Sequence, residues 1–267
     1  MHVIYAAFTL WFFLILFVAI GVHRLWAGLV GARPVGWALL PGTLVAEMAY
    51  ILGCLITGGE IRRANLFPTR GGPRGGGEAA EPRTEAEPKL KIIGPVFASL
   101  LAVVACVAAL IVLHSLLGEP VIAEFTGLPG LLGLNSLPKE LPTSTEAFWE
   151  QLRGQVSLLR RMAGTLVELE WTNWRVPLFV YLTICLSVRL APVRRDLRGT
   201  LAAVVLIAGG IALVGVIWKQ FSDLMQDLWP LLTYIWASLL FLLAVTLLVR
   251  GVVWLVLVLA GKAEGKK

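Results

Sequence analysis

The chain has 267 residues, of which 58% are hydrophobic and only 15% are charged, and its mean hydropathy is +0.81. A water-soluble domain of this length would carry far more surface charge, so the composition indicates an integral membrane protein. The net charge of +6 fits basic loops beside anionic lipid. We therefore expect the lipid bilayer, and not nucleic acid, as the partner of these charges.

Six apolar runs predict the membrane crossings. A helix of about 18 residues or more can cross roughly 30 Å of hydrocarbon, and the alternating pattern of a membrane barrel is absent. The prediction is an all-α, polytopic helical bundle of about six transmembrane helices, which forms a single membrane domain over residues 1–267. The runs are Val3–Val22, Trp37–Thr57, Ile92–Leu116, the short Val176–Val188, Thr200–Trp218 and Trp229–Leu259.

The distribution of Lys and Arg predicts the orientation, because cytoplasmic loops carry an excess of both. The loop 60–91 and the short loop Arg189–Arg198 are rich in arginine, so both should be cytoplasmic. With six crossings, the N and C termini are then cytoplasmic as well. Arg24 and Arg33 fall in the first outer loop and mildly violate this topology.

The loop 60–91 contains the stretch Arg70–Lys89, which consists of Gly, Pro, Glu and Arg with no large apolar residue. Such a segment buries too little apolar surface to offset the entropy of ordering. We expect a flexible cytoplasmic loop.

The extracytoplasmic loop 117–175 becomes periodic in its second half, where apolar residues recur every three or four positions. Thr143 and Glu146 match a capping box just before this pattern. The prediction is an amphipathic helix over residues 145–170, with Arg160 and Arg161 on its polar face. It either lies on the membrane surface, packs on a partner, or covers the outer surface of the bundle itself.

Glu47 stands near the middle of the Trp37–Thr57 run, where an acid such as Asp costs roughly 2.5–3.5 kcal/mol on insertion scales. Its context, PGTLVAEMAYILGCLITGGEI from Pro41, resembles the signature helix of the site-2 protease family of intramembrane zinc metalloproteases. In that family an H-E-x-x-H run places two histidine ligands on one helical face, and the glutamate between them deprotonates the bound water. The matching positions here are Ala46, Glu47, Met48, Ala49 and Tyr50.

Two further stretches carry the resemblance, which covers about half the chain. KIIGPVFASLLAVVA, from Lys91, is similar to the Gly-Pro-led helix that follows the signature helix. YLTICLSVRLAPVRRDLRG, from Tyr181, is similar to the segment that supplies the third, carboxylate ligand, with Asp196 at the ligand position. The glutamate that corresponds to the general base is thus kept, but both histidine ligands are gone.

The resemblance implies a protease fold that has lost its metal. A catalytic zinc needs three protein ligands, and Asp196 alone remains of the expected set, so we expect no catalytic residue, no bound metal and no cofactor. The prediction is a non-catalytic pseudoprotease or scaffold of the inner (cytoplasmic) membrane. It would bind a membrane-protein partner or a transmembrane segment in a groove lined by Ala46, Glu47 and Tyr50.

Several alternatives stay open at this point. The chain could be a subunit of a transport or energy-coupling complex, with Glu47 as an intramembrane acid. It could also be an active intramembrane metalloprotease in which substitute ligands hold zinc. At the level of single residues, Glu47 could be protonated and hydrogen-bonded to Tyr50 or Thr43, and Asp196, flanked by arginines, could form a screened surface ion pair.

Overall fold

The structure is a computed structural model, and it describes residues 2–65, 83–87, 93–127, 145–190, 206, 209–210 and 221–264. Most of these residues are helical, which confirms the predicted helical architecture. The elements in chain order are α1 (His2–Val30), α2 (Ala32–Ala38), α3 (Leu40–Ile56), β1 (Glu60–Asn65), β2 (Arg83–Glu87), α4 (Ile93–Leu113), a π-helical turn (His114–Gly118), α5 (Glu119–Gly127), α6 (Thr145–Glu168), α7 (Arg175–Arg189) and α8 (Phe221–Glu264).

Among the described residues, three helical segments are long and apolar enough to cross a membrane, and they indicate a membrane protein. They are Trp11–Val30 in α1, Gly94–Thr126 from α4 through α5, and Asp227–Leu255 in α8. Helix α3 has 17 residues and α7 has 15, so at a rise of 1.5 Å per residue they span only about 25 Å and 22 Å. The count of about six crossings stays a prediction, since most of the Thr200–Trp218 run lies outside the described residues.

The chain changes direction twice between α1 and α3. Gly31, between α1 and α2, has a φ of 95°, a left-handed conformation that a residue with a Cβ rarely adopts. Pro41 lies in the first turn of α3, where its missing N–H does not interrupt a helical hydrogen bond. Leu39 therefore forms the break between α2 and α3.

The described ends of the 60–91 loop form a two-stranded antiparallel ribbon, in which β1 pairs with β2 and Glu60 lies opposite Glu87. A β-bulge between Ile61 and Arg63 interrupts the register. The prediction of a loop without secondary structure missed these strands, because cross-strand pairing depends on a partner that local composition does not reveal. Residues 66–82 lie outside the described residues, so the flexibility of this loop stays a prediction.

The main hydrophobic core is buried among α1, α4, α5, α6, α7 and α8. Tyr234 lies at its centre, with its ring 5.4 Å from that of Phe125 in α5 and 5.7 Å from that of Phe179 in α7. A smaller cluster between α3 and α4 consists of Tyr50, Cys54, Ala98 and Ala102. Helix α3 thus joins the bundle mainly through α4 and α7.

The π-helical turn His114–Gly118, between α4 and α5, makes a close contact with α7. A Cβ on Gly118 would lie 2.5 Å from His114 Nδ1 and 3.1 Å from Phe179 Cε2. Only glycine fits there without displacing a side chain. Gly118 therefore lets the Phe179 ring lie close to the helix backbone, in the position from which it also contacts Tyr234.

Helices α1 and α8 pack in parallel. Near the start of each, the ring of Trp11 lies 6.2 Å from that of Trp229 and 5.0 Å from that of Trp236. Further along both helices, Trp26 Nε1 donates a hydrogen bond of 2.8 Å to Thr246 Oγ1. Six crossings would make the first and last helices antiparallel, so the count of six and the cytoplasmic placement of both termini stay predictions.

Candidate functional site

Helix α3 carries the three residues of the predicted groove, and the structure distributes them over different surroundings. Ala46 is partly buried against the main core, Tyr50 is buried in the smaller cluster against α4, and Glu47 is half-buried between them. None of the three lines the apolar cavity between α1, α4 and α8 or the two further pockets at Trp11 and Trp26. The groove at Ala46, Glu47 and Tyr50 stays a prediction.

Two glycines hold α3 against its neighbours. A Cβ on Gly42 would collide with the backbone carbonyl of Cys185 in α7, and a Cβ on Gly53 would lie 2.7 Å from the Cα of Ala98 in α4. Small residues of this kind let helix backbones approach closely in a membrane, where packing and not hydrophobic burial drives association. Gly42 and Gly53 therefore let α3, which carries Glu47, pack closely against α7 and α4.

The break before α3 is bound by side chains of α7. Tyr181 donates a hydrogen bond of 2.8 Å from its hydroxyl to the backbone carbonyl of Ala38, and the Cys185 thiol lies 3.3 Å from the same oxygen. Carbonyls at the end of a helix lack intrahelical partners, and hydrocarbon offers no water to replace them. Tyr181 and Cys185 thus stabilise the position of the α2–α3 break, which leads into the helix of Glu47.

The described residues do not gather donors for a metal. They contain no group of three or more His, Cys, Asp or Glu side chains placed to hold an ion, and the buried thiols of Cys54, Cys106 and Cys185 lie on three different helices. Asp196, the predicted equivalent of a third ligand, lies outside the described residues. The residues that are described do not fit a zinc site, and the lack of a metal in the protein stays a prediction.

An apolar cavity of about 350 Å³ lies between α1, α4 and α8. Its volume is within the range of ligand-binding clefts, and every residue that lines it is apolar. It lies largely along the membrane-crossing segments. The lining residues are Phe12, Ile15, Val103, Val104, Val107, Ala108, Leu110, Ile111, Leu190, Leu228, Leu231, Leu232 and Ile235.

Sequence reasoning did not find this cavity, because its lining does not differ in composition from the rest of each apolar helix. The only available signal is the small side chain of Ala108 on the exposed side of α4, and that signal is weak. A cavity of this type can bind hydrocarbon and not a polar group, since a polar group there would have no hydrogen-bond partner.

Helix α6 packs on the bundle itself, which is one of the three roles that the sequence left open. Its Leu158 and Met162 side chains are buried in the main core, and Gln155 Oε1 accepts a hydrogen bond of 2.7 Å from Trp236 Nε1 in α8. Arg160 is exposed as predicted. Arg161 is half-buried instead, and its burial lowers the pKa of the guanidinium.

Comparison with protein-family models, curated proteins and solved structures finds no match to this chain. The resemblance to the site-2 proteases therefore stays a prediction from sequence motifs. What the structure itself defines is a class: a helical protein whose described residues include three helical segments long and apolar enough to span a membrane.

Proposed function

We propose that this chain is a non-catalytic protein of the inner membrane that binds the transmembrane segment of a membrane-protein partner. The observation that carries the proposal is the wholly apolar cavity between α1, α4 and α8. The resemblance to a protease that lacks its histidine ligands supports it, since such a protein would retain a substrate groove without the chemistry.

The chemistry of the cavity selects the occupant. Inside a bilayer, association of apolar surfaces is driven by van der Waals packing, because lipid tails are as apolar as leucine. An open, apolar concavity loses such contacts unless it is filled. A partner helix with branched apolar side chains would fill it more completely than disordered lipid, and its own backbone hydrogen bonds would be satisfied internally.

Site-specific photo-crosslinking in cells tests this proposal. A photoreactive phenylalanine derivative at Ile111, which lines the cavity, should form an adduct with a membrane protein. The matched control is the neighbouring Val112, which is more exposed but does not line the cavity. We expect the derivative at position 111 to form the adduct and the derivative at position 112 to form none.

A second variant ties the adduct to the cavity. Ala108→Phe fills the space beside Ile111 and should abolish the adduct, whereas Ala123→Phe, on an exposed part of α5 outside the lining, should leave it unchanged. An adduct that persists in Ala108→Phe, or that forms equally from position 112, would contradict the proposal. Adducts with lipid alone would contradict it as well.

A further inference from the structure

The parallel packing of α1 and α8 has a consequence for the whole topology, independent of the proposed function. Two contacts at separate depths define it: Trp11 against Trp229 and Trp236, and Trp26 bonded to Thr246. Two cavities show the same order of contacts along both helices. One is lined by Phe12, Ile15 and Leu231, among others, and the second, further along, by Trp26, Val245 and Val249, among others. The two helices therefore run in the same direction over their shared length.

We infer that the chain crosses the membrane an odd number of times, with the start of α1 outside and the end of α8 in the cytoplasm. The parallel direction of α1 and α8 requires an odd number of crossings. After α1 the chain is on one side, and α8 must begin on the other side to run parallel to it. The segment between the two helices thus contains an odd number of crossings, and the total with α1 and α8 is odd.

The charges decide which side is cytoplasmic. Before Arg24 the sequence has no Lys or Arg, and near the start of α8 Lys219 is balanced by Asp223 and Asp227. The ends at which both helices finish are basic, and a cytoplasmic position for them follows the excess of Lys and Arg on that side of membranes. Among the described residues, the basic residues at this end are Arg24, Arg33, Arg250 and Lys262.

Two exposed arginines mark the cytoplasmic interface. Arg24 and Arg250 are exposed, and each lies about one turn or less from the Trp26–Thr246 hydrogen bond. Long cationic side chains at this depth can extend to the headgroups. With this orientation, Arg24 and Arg33 lie on the cytoplasmic side, in agreement with the excess of Lys and Arg found there. With a cytoplasmic start of α1 they would lie on the outer side.

The tryptophans of α1 fit two interfaces. Trp11 and Trp26 are separated by about 22 Å along the helix at 1.5 Å per residue, which approaches the thickness of roughly 30 Å of the hydrocarbon core. Trp11 groups with Trp229 and Trp236 at the outer level, and Trp26 lies at the arginine level. Tryptophan prefers such interfaces on both sides of a bilayer.

Cysteine labelling in the full chain tests this topology. Single variants His2→Cys and Glu264→Cys are treated with a membrane-impermeant maleimide before and after permeabilisation of the cells. The unsubstituted protein, whose three native cysteines are buried, gives the background. We expect the maleimide to label residue 2 in intact cells. We expect it to label residue 264 only after the cells are permeabilised.

Labelling of both positions from one side would overturn the odd count of crossings, and the reverse pattern would overturn the cytoplasmic assignment of the arginine end. A second pair protects the test against a terminal variant that fails to insert. Arg24→Cys and Arg250→Cys lie at one level of the bundle, so both should react only after permeabilisation. Reaction of these two residues from opposite sides would contradict the parallel packing itself.

Discussion

Glu47 is the one acidic residue of the apolar helix α3, and an acid on an apolar helix in a membrane needs hydrogen bonds or a polar surface. Glu47 does not line the apolar cavity, so it contributes to capture only if the partner also contacts α3. Glu47→Gln then keeps the shape of the side chain and removes its acidic group. We expect capture of the partner to weaken by about tenfold, with little change in the thermal unfolding of the purified protein.

The same variant separates the alternative functions. A pH-dependent ion flux in proteoliposomes that Glu47→Gln abolishes would favour a subunit of a transport complex. Zinc in near-stoichiometric amount in the purified protein, and its loss in a second variant, Asp196→Asn, would favour an active protease. Unchanged capture in the variant would remove Glu47 from the binding site.

Gly42 offers a sharper test of packing, because a methyl group there would collide with the carbonyl of Cys185. We expect Gly42→Ala to lower the free energy of unfolding by about 1–3 kcal/mol, as overpacking usually does. Gly21→Ala is the matched control, since a Cβ at Gly21 meets no atom within 4 Å and alanine favours the helix. Thermal unfolding in detergent measures both, and equal effects would contradict the close approach of α3 and α7.

At the scale of elements, α6 is held to the bundle by one apolar face. Leu158 is 1% exposed, whereas Val156, on the same helix, is 62% exposed. We expect Leu158→Ala to cost about 2–5 kcal/mol of unfolding free energy and to make α6 more sensitive to added protease. Val156→Ala should change stability by less than about 0.5 kcal/mol, and a comparable loss in both variants would refute the packing of α6 on the bundle.

The elements differ in how far the sequence could predict them. Helix α6 was predicted at 145–170 and is found at Thr145–Glu168, because apolar periodicity encodes one buried face. The strands β1 and β2 were missed, because few of their residues are large and apolar and the pairing joins segments that are distant in the sequence. The π-helical turn was not predicted either, because its sequence HSLLG does not differ from one that an ordinary α-helix could contain.

At the scale of the whole molecule, composition was enough to predict a helical membrane protein, since uncharged apolar runs of about 18 residues or more are typical of transmembrane helices. The relative direction of α1 and α8 could not be predicted, because the parity of crossings depends on short segments such as α3 and α7, whose length does not decide whether they span. The site divides in the same way. Glu47 is visible in the sequence as a rare acid, whereas the cavity exists only after three ordinary apolar helices are brought together.

The π-helical turn at His114–Gly118 also shapes the molecule on a larger scale. A π turn holds about one residue more than an α turn, and one residue rotates everything after it by about 100° around the helix axis. Phe125 lies after the turn, and in this rotated register its ring contacts that of Tyr234. The turn therefore acts as a one-residue insertion in the register of α5, and the aromatic centre of the core depends on keeping it.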